Sequence, residues 1–389
     1  MKATLANDVL TLFLEGHVDS ANAGTVEAEL TELVSQKPHQ AVVLDCENLA
    51  YISSAGLRIV LRLRKNEPNL KLVSVSSDVY EVFDMTGFTE MMTIEKAYRR
   101  FSVEGCEKLG EGSNGIVYRY DPEIVIKVYK KADALDEIHR ERELARKALI
   151  LGIPTAIPFD VVKVGDKYAS VFELLNAKSF SKLIKAEPEK KDYYIQLFVE
   201  LLLQIHSTRV TPGDMPDMKA VALDWADFLR AHLPAGQAQK LHDLIEAVPD
   251  RGTMLHGDYH TNNVEMQNGE VLLIDMDTLS VGHPVFELAS MFLGFVGFGE
   301  LDHSISMKFL GLPREMTVYI WQKTLELYLN TKDEAAVRAV EQKAQVIGYA
   351  RLLRRTIRRE ADTEHGQKQI ALCKERLASL LSQVDSLDF

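Results

Sequence analysis

The chain has 389 residues, 46% hydrophobic and 26% charged, with a formal net charge of −12. That length is too great for one core and calls for two or three domains. The composition is that of an ordinary globular protein, and the acidic balance excludes a general nucleic-acid binder, which needs basic residues to displace counterions from phosphates. Cys46, Cys106 and Cys373 lie far apart with no metal-ligand spacing, the pattern of reduced structural thiols in a cytoplasmic protein. No leader-like stretch opens the chain. Leu288 to Gly299 is apolar but shorter than a membrane span, so no membrane partner is expected.

In chain order, residues 9 to 14 (VLTLFL) follow an Asn-Asp turn and read as a strand. Residues 21 to 36 place Val26, Leu30, Leu33 and Val34 at helical spacing. Residues 41 to 45 (AVVLD) form the continuous apolar run of a buried central strand. A helix begins at or beside Ser54, with Leu57, Val60 and Leu61 inside and Arg58, Arg62, Arg64 and Lys65 outside. Residues 70 to 75 give another strand, and 79 to 86 a short helix stopped by Gly87. This alternation predicts a small layered α/β domain.

Three blocks of this region, LEGHVDSANA (Leu14 to Ala23), VVLDCENLAYISSAGLRIVL (Val42 to Leu61) and VFDMTGFTEMMTI (Val82 to Ile94), resemble STAS domains, the fold of anti-sigma-factor antagonists and of sulfate-transporter tails. The resemblance covers nearly all of residues 1–98. It implies a protein partner and a switch serine two residues before a Gly-Leu pair, so Gly56-Leu57 points to Ser54 as a phosphosite. A helix start has free backbone N–H groups and a dipole that stabilise an added phosphate; a serine there serves equally well as a plain N-cap. The antagonists often carry Asp just before the serine, where this chain has Ser53.

From about residue 101 the pattern changes. Residues 109 to 118 (LGEGSNGIVY) set Gly110, Gly112, Gly115 and Val117 as G-x-G-x-x-G-x-V, a weak signal alone. Residues 117 to 120 continue as a strand, Asp121-Pro122 turns, and 124 to 129 (IVIKVY) return as a second strand carrying Lys127. The glycine loop thus lies in a hairpin, whereas a dinucleotide fold would pass from it straight into a helix. Glycines let backbone N–H groups approach phosphates closely. An ammonium in an apolar strand needs partners, here nucleotide phosphate and a helix carboxylate, unless Lys127 lies on an edge facing solvent. The helix over 136–151 aligns Glu141 with Ile138 and Ala145, making Glu141 the chosen partner and Glu143 the fallback. A hairpin over 161–164 and 168–172 then runs into FELLNAK, where the backbone of Glu173 to Asn176, Leu175 included, would meet a base, with Phe172 behind it.

Beyond Ser179 the chain reads as mostly helical. Residues 192–207 end in Gln204-Ile205-His206, with His206 a satisfied helix-end residue. Residues 314–331 and 333–386 read as long amphipathic helices, the second carrying Arg351, Arg354, Arg355, Arg358 and Arg359 on a solvated or acid-paired face. Between these lies the segment Met254 to Glu287, a turn followed by a short hairpin. His256-Gly257-Asp258 opens it, Asn263 follows, and Asp275 ends the run Val271 to Ile274. Phosphoryl transfer needs a carboxylate to accept the acceptor's hydroxyl proton, and an amide and a second carboxylate to hold Mg²⁺ against phosphates. Asp258, Asn263 and Asp275 supply these in the order kinases use; a polar turn between core strands is the plainer alternative.

H-G-D-x-x-x-x-N followed by I-D-x-D resembles the catalytic segment of aminoglycoside phosphotransferases and choline-kinase-like enzymes, which share the protein-kinase fold. The resemblance implies ATP and Mg²⁺ as cofactors, Asp258 as catalytic base with Lys127 and Glu141, and Asn263 and Asp275 as metal ligands. Gly282-His283-Pro284-x-x-Glu287 resembles the family's G-D-P-x-x-D-L-A, with His283 and Glu287 as departures. The expected architecture is an α/β STAS domain over 1–98, then an α+β bilobal protein-kinase-like domain with a helical C-terminal lobe over 101–389 (N-lobe about 101–175, C-lobe about 176–389). The expected function is an ATP-dependent phosphotransferase acting on a small-molecule hydroxyl, regulated or localised through the STAS domain. Only Met276 to His283 separates Asp275 from Pro284, too little for the platform on which protein kinases lay a peptide. A cationic acceptor would agree with the net charge. The other readings are a nucleotide-responsive binding protein and a kinase acting on a STAS serine.

Overall fold

In the computed structural model, which describes every residue except Ser113 and Pro212, Leu10, Leu12 and Leu14 alternate with half-exposed neighbours and are buried. The same period-2 alternation buries Val42, Leu44 and Cys46, as strands with one face on a core require. These strands belong to the first of two units, Met1–Glu104 with Val161–Ala169; the second is Gly105–Asp160 with Ser170–Phe389.

The first unit runs β1 (Lys2–Ala6), β2 (Val9–Val18), α1 (Ala23–Gln36), β3 (Ala41–Ile52), α2 (Ser54–Asn66), β4 (Lys71–Val75), α3 (Ser77–Met85), α4 (Phe88–Met91) and β5 (Thr93–Lys96). Its sheet has the order β1-β2-β3-β4-β5, with β1 antiparallel to β2 and the remaining pairs parallel. Helix α2 lies close on this sheet because Gly56 has no side chain: a Cβ there would sit 2.6 Å from Ile52 Cγ1. Ser53 is the N-cap of α2, its Oγ accepting from Ala55 N at 3.2 Å. Ser54 is therefore the first helical residue, and it is exposed. The plain capping role considered for Ser54 belongs to Ser53. A short strand β6 (Arg100–Phe101) pairs in parallel with Lys163 and Val164.

In the second unit β7 (Glu107–Glu111), β8 (Gly115–Arg119) and β9 (Ile124–Tyr129) form an antiparallel meander, followed by α5 (Leu135–Ile150). Strands β10 (Pro158–Val164) and β11 (Lys167–Glu173) come next; residues 158–160 and 170–173 of them belong to this unit and the rest to the first. The helical part holds β12 (Lys178–Ser179), α6 (Phe180–Ala186), α7 (Lys191–Ser207), α8 (Met218–Leu229) and α9 (Ala235–Glu246). Four further short strands are β13 (Thr253–Leu255), β14 (Val264–Gln267), β15 (Glu270–Leu273) and β16 (Ser280–Gly282). Helices α10 (Pro284–Phe295), α11 (Ser304–Leu310), α12 (Arg314–Tyr328), α13 (Glu334–Glu360) and α14 (Glu364–Leu381) complete it.

The stretch expected as one helix over 333–386 is two, α13 and α14. Thr363 interrupts it as the N-cap of α14, its Oγ1 accepting from Gly366 N at 2.9 Å, a capping arrangement that starts a new helix. Helix α10 is buried on almost every side, which accounts for the apolar run beginning at Leu288: it is a core helix. Among the described residues no helix is long and apolar enough to cross a membrane.

Candidate active site

The β8–β9 register places Val117 opposite Lys127, and the glycine loop folds back on the same hairpin. Gly112 N donates to Gly115 O at 2.9 Å, and Lys130 Nζ donates to Gly112 O at 2.8 Å. Gly115 is required by close approach, since a Cβ there would lie 2.8 Å from Val128 O. Lys127 Nζ sits 2.7 Å from Glu141 Oε1 and 3.5 Å from Asp275 Oδ1. Glu143, the fallback, pairs with Lys147 at 2.9 Å. Burial pushes the Lys127 ammonium down, but the charges of Glu141 and Asp275 outweigh it and hold the group above its ordinary value. The other oxygen of Glu141 accepts from Tyr129 OH, so a carboxylate only 4% exposed has both oxygens satisfied.

These groups border a cavity of about 390 Å³, within the usual range for small-molecule sites. Gly110, Gly112, Gly115, Val117 and Lys127 line it from the hairpin, Phe172, Glu173 and Leu175 from the end of β11, and Glu141, Asn263 and Asp275 complete it. Asp258 adjoins it: its carbonyl accepts from Asn263 Nδ2 at 3.0 Å. Ser54 belongs to the other unit.

The turn carrying Asp258 is held from below. Gly257 has φ +83, and a Cβ there would meet Thr278 O at 2.6 Å, so only glycine can occupy the position. Gly257 N donates to Glu287 Oε1 at 3.0 Å, His256 N donates to Glu287 Oε2, and Ser290 Oγ donates to Gly257 O at 2.7 Å. Tyr259 OH donates to Phe198 O at 2.7 Å, and Ile274 N to Asn263 O at 2.9 Å. Asp275 adopts the left-handed region at φ 65, an uncommon conformation for a non-glycine residue and one that clusters at functional sites.

The Asp258 carboxylate is 43% exposed, with His260 Nε2 at 3.5 Å. Burial raises its pKa, but the His260 hydrogen bond and the charges of His260, His256 and Arg351 overcome this and hold it below the ordinary value. It is an anion at neutral pH, as an acceptor of protons must be. Asn263 commits its Nδ2 to the Asp258 carbonyl and leaves its side-chain oxygen without a protein donor among the described residues. Among those residues no three His, Cys, Asp or Glu side chains converge as a metal cage. Asn263 and Asp275 nevertheless suit Mg²⁺, which is commonly held by one or two protein ligands together with substrate phosphates and water.

Several neighbours escaped the sequence reading. Asp277 accepts from Asn114 Nδ2 at 3.0 Å, and burial with the charges of Asp275 and Glu141 pushes it up to about 7; its only signal was the second acid of I-D-x-D. Glu265 lines the cavity floor from β14, its carboxyl raised by burial despite Lys182. Arg351 does not lie on a solvated face: its Nη1 donates to Ser290 Oγ at 2.9 Å, and its guanidinium stacks over Trp225. His283 Nδ1 caps α10 by accepting from Val285 N at 3.1 Å, and Nε2 donates to Asp388 Oδ1 at 3.0 Å. His206 bonds Tyr328 OH at 2.7 Å and places Nε2 4.0 Å from Glu287.

A glycine loop in an antiparallel hairpin, a buried lysine–glutamate pair behind it and an Asp–Asn–Asp set beneath it define a protein-kinase-like catalytic domain. A family model described as the phosphotransferase enzyme family matches residues 106–317, and a STAS-domain model matches residues 1–100. The chain belongs to the phosphotransferase enzyme family and carries an N-terminal STAS domain. BtrV of Bordetella bronchiseptica, named as an anti-sigma factor antagonist, is 42% identical over 100 residues, covering 24% of this chain and 85% of that protein. The anti-sigma F factor antagonist of Paenibacillus polymyxa is 24% identical over 90 residues, covering 22% of this chain and 77% of that one. Among solved structures, ADP-bound aminoglycoside phosphotransferase APH(2'')-Ib has a TM-score of 0.49 at 16% identity, covering 77% of this chain and 98% of that one. A choline/ethanolamine kinase family protein from Mesorhizobium loti has a TM-score of 0.46 at 15% identity, covering 72% and 88%.

Proposed function

We propose that this chain is an ATP- and Mg²⁺-dependent phosphotransferase that phosphorylates a hydroxyl of a small molecule, and that its STAS domain regulates or localises that activity. The single observation behind the reading is the joint placement of Asn263, Asp275 and the Lys127–Glu141 pair on one cavity, with the half-exposed side chain of Asp258 on the residue whose backbone carbonyl accepts from Asn263. A binding scaffold has no physical need of an ionised, solvent-reachable carboxylate at that point.

Within this reading the glycine loop's backbone N–H groups and Lys127 hold the phosphates, and Glu141, fixed by Tyr129, holds Lys127. Phe172 to Leu175 receive the base. Asn263 and Asp275 are the Mg²⁺ ligands, the ion neutralising phosphate charge when bound. Asp258 accepts the acceptor's hydroxyl proton as the new oxygen–phosphorus bond forms. The eight residues between Asp275 and Pro284 are taken up by a 3₁₀ turn and β16, which leaves no peptide platform and favours a small acceptor. Around Asp258 stand Arg351, His256, His260 and Asp277, a mixed set that by itself selects neither a cationic nor a neutral acceptor. In the STAS domain the exposed Ser54, first residue of α2, is the proposed phosphosite.

The test is incubation of the full chain with γ-labelled ATP, Mg²⁺ and a deproteinised metabolite extract. The reading expects label in a small-molecule fraction; stoichiometric label on Ser54 with no small-molecule product would replace it with a kinase acting on STAS serines.

A further inference from the structure

Six carboxylates line the nucleotide-sized cavity, and five of them have partners. Glu141, Asp275 and Glu111 are ion-paired to lysines. Asp277 accepts from Asn114, and Glu173 accepts from Ile157 N at 3.4 Å. Among the described residues the Glu265 carboxylate has neither a hydrogen bond nor an ion pair, only the more distant charge of Lys182, although it is half-buried in a cavity that Val117, Val125, Leu174 and Ile274 also line. A carboxylate in such surroundings carries a desolvation cost that a donor on a ligand would offset.

Its place in the cavity says which donor. The hinge end, Glu173 to Leu175, is where a base would lie; Lys127, Asn263 and Asp275 mark the phosphate end. Chain placement puts Glu265 between the two ends. It is two residues past Asn263 on β14, and its ladder partner on β12 is Ser179, a few residues beyond the hinge. The part of a nucleotide that joins base to phosphates is the sugar, and its hydroxyls are donors. Resting on the nucleotide-site reading above, we infer that Glu265 accepts a hydrogen bond from a sugar hydroxyl of the bound nucleotide and thereby selects ribonucleotides over a deoxynucleotide.

The experiment is calorimetric titration of the full chain, wild type, Glu265→Gln and Glu265→Leu, with ATP, 2'-deoxy-ATP, 3'-deoxy-ATP and GTP in Mg²⁺. Hydrogen bonds to charged groups are worth enough that one of the two deoxynucleotides should bind the wild type about tenfold to a hundredfold more weakly than ATP. Glu265→Leu should bring that ratio close to one by weakening ATP, and Glu265→Gln, which keeps an accepting oxygen and nearly the same shape, should retain part of it. Equal binding of ATP and both deoxynucleotides by the wild type overturns the inference alone, with no variant needed. A change confined to the ATP-to-GTP ratio also overturns it, by moving Glu265 to the base. Failure of the wild type to bind any nucleotide overturns the nucleotide-site reading and this inference with it.

Discussion

Helices α2 and α10 begin with similar means and to opposite ends. Both open on a side-chain cap, Ser53 for α2 and His283 for α10. At α2 the cap is a single hydroxyl, and the next residue, Ser54, lies exposed with nothing bonded to its side chain among the described residues. At α10 the first turn is buried, the cap is itself held by Asp388, and Glu287 spends its carboxylate on two backbone N–H groups of the turn before Asp258. A helix start whose first residue is exposed can gain a charge there, because the helix dipole welcomes one. A helix start already filled with an anion is committed. On the proposed reading the first suits a switch, and the second a fixed support for the turn that carries Asp258.

The comparison breaks most readily at Glu287. Glu287→Ala leaves the buried N–H of His256 and the half-buried N–H of Gly257 without an acceptor, at about 1–3 kcal/mol for the first and less for the second. Thermal melting of the second unit should fall by several degrees and transfer should be lost. Unchanged melting would mean that the turn is held by its other bonds alone.

Next in size is a pH effect at His283. Burial, with the charge of Arg251, depresses its pKa to about 4 even though Asp388 works the other way. A base whose pKa is lower folded than unfolded contributes stability that is present above about 6.5 and is lost as pH falls through about 4. His283→Asn keeps an N-cap acceptor but cannot titrate, so melting temperature should decline less between pH 7 and pH 5 than in the wild type. An identical decline in both would show that other groups carry the acid sensitivity.

The smallest effects belong to the open end. Ser53→Ala should cost the STAS domain about 1 kcal/mol through loss of the cap, whereas Ser54→Asp should be neutral or add about 0.3–1 kcal/mol through the dipole. Chemical denaturation of the full chain, followed on the first unit's transition, reads both. Equal losses for the two variants would erase the distinction between capping and switching serines.

Much of this was legible in the chain. The strands over 9–14 and 41–45 were readable as apolar runs, although the second was read as buried throughout where the structure alternates its burial, and i+3 and i+4 spacing from Ile138 and to Ala145 singled out Glu141 over Glu143 on a helix whose face could be read locally. The glycine loop was visible because close backbone approach demands glycine, and the Asp258, Asn263, Asp275 set because the proposed phosphoryl transfer asks for those residue types in that order. What lay beyond reading is what the fold brings together from afar. The His283–Asp388 bond joins residues 105 positions apart and the Arg351–Ser290 bond residues 61 apart, with no local pattern to announce either. Five arginines at near-helical spacing look alike in sequence, yet Arg351 is drawn in against the turn carrying Asp258 while Arg358 and Arg359 stay exposed. Tyr129 read as one more apolar strand residue, and only its neighbours reveal the hydroxyl's bond to Glu141. The break between α13 and α14 did have a signal, Thr363 with Glu364 in the first turn, overridden by the amphipathic pattern on either side.

The most direct measurement is Asp258→Asn assayed for both Mg-ATP binding and transfer to the small-molecule acceptor fraction. Asp258 stands beside the cavity and has no part in holding Lys127, so nucleotide affinity should stay within a factor of about two, while turnover falls by about 10²–10⁴, the usual weight of a general base. Turnover within a factor of two of wild type would contradict the account.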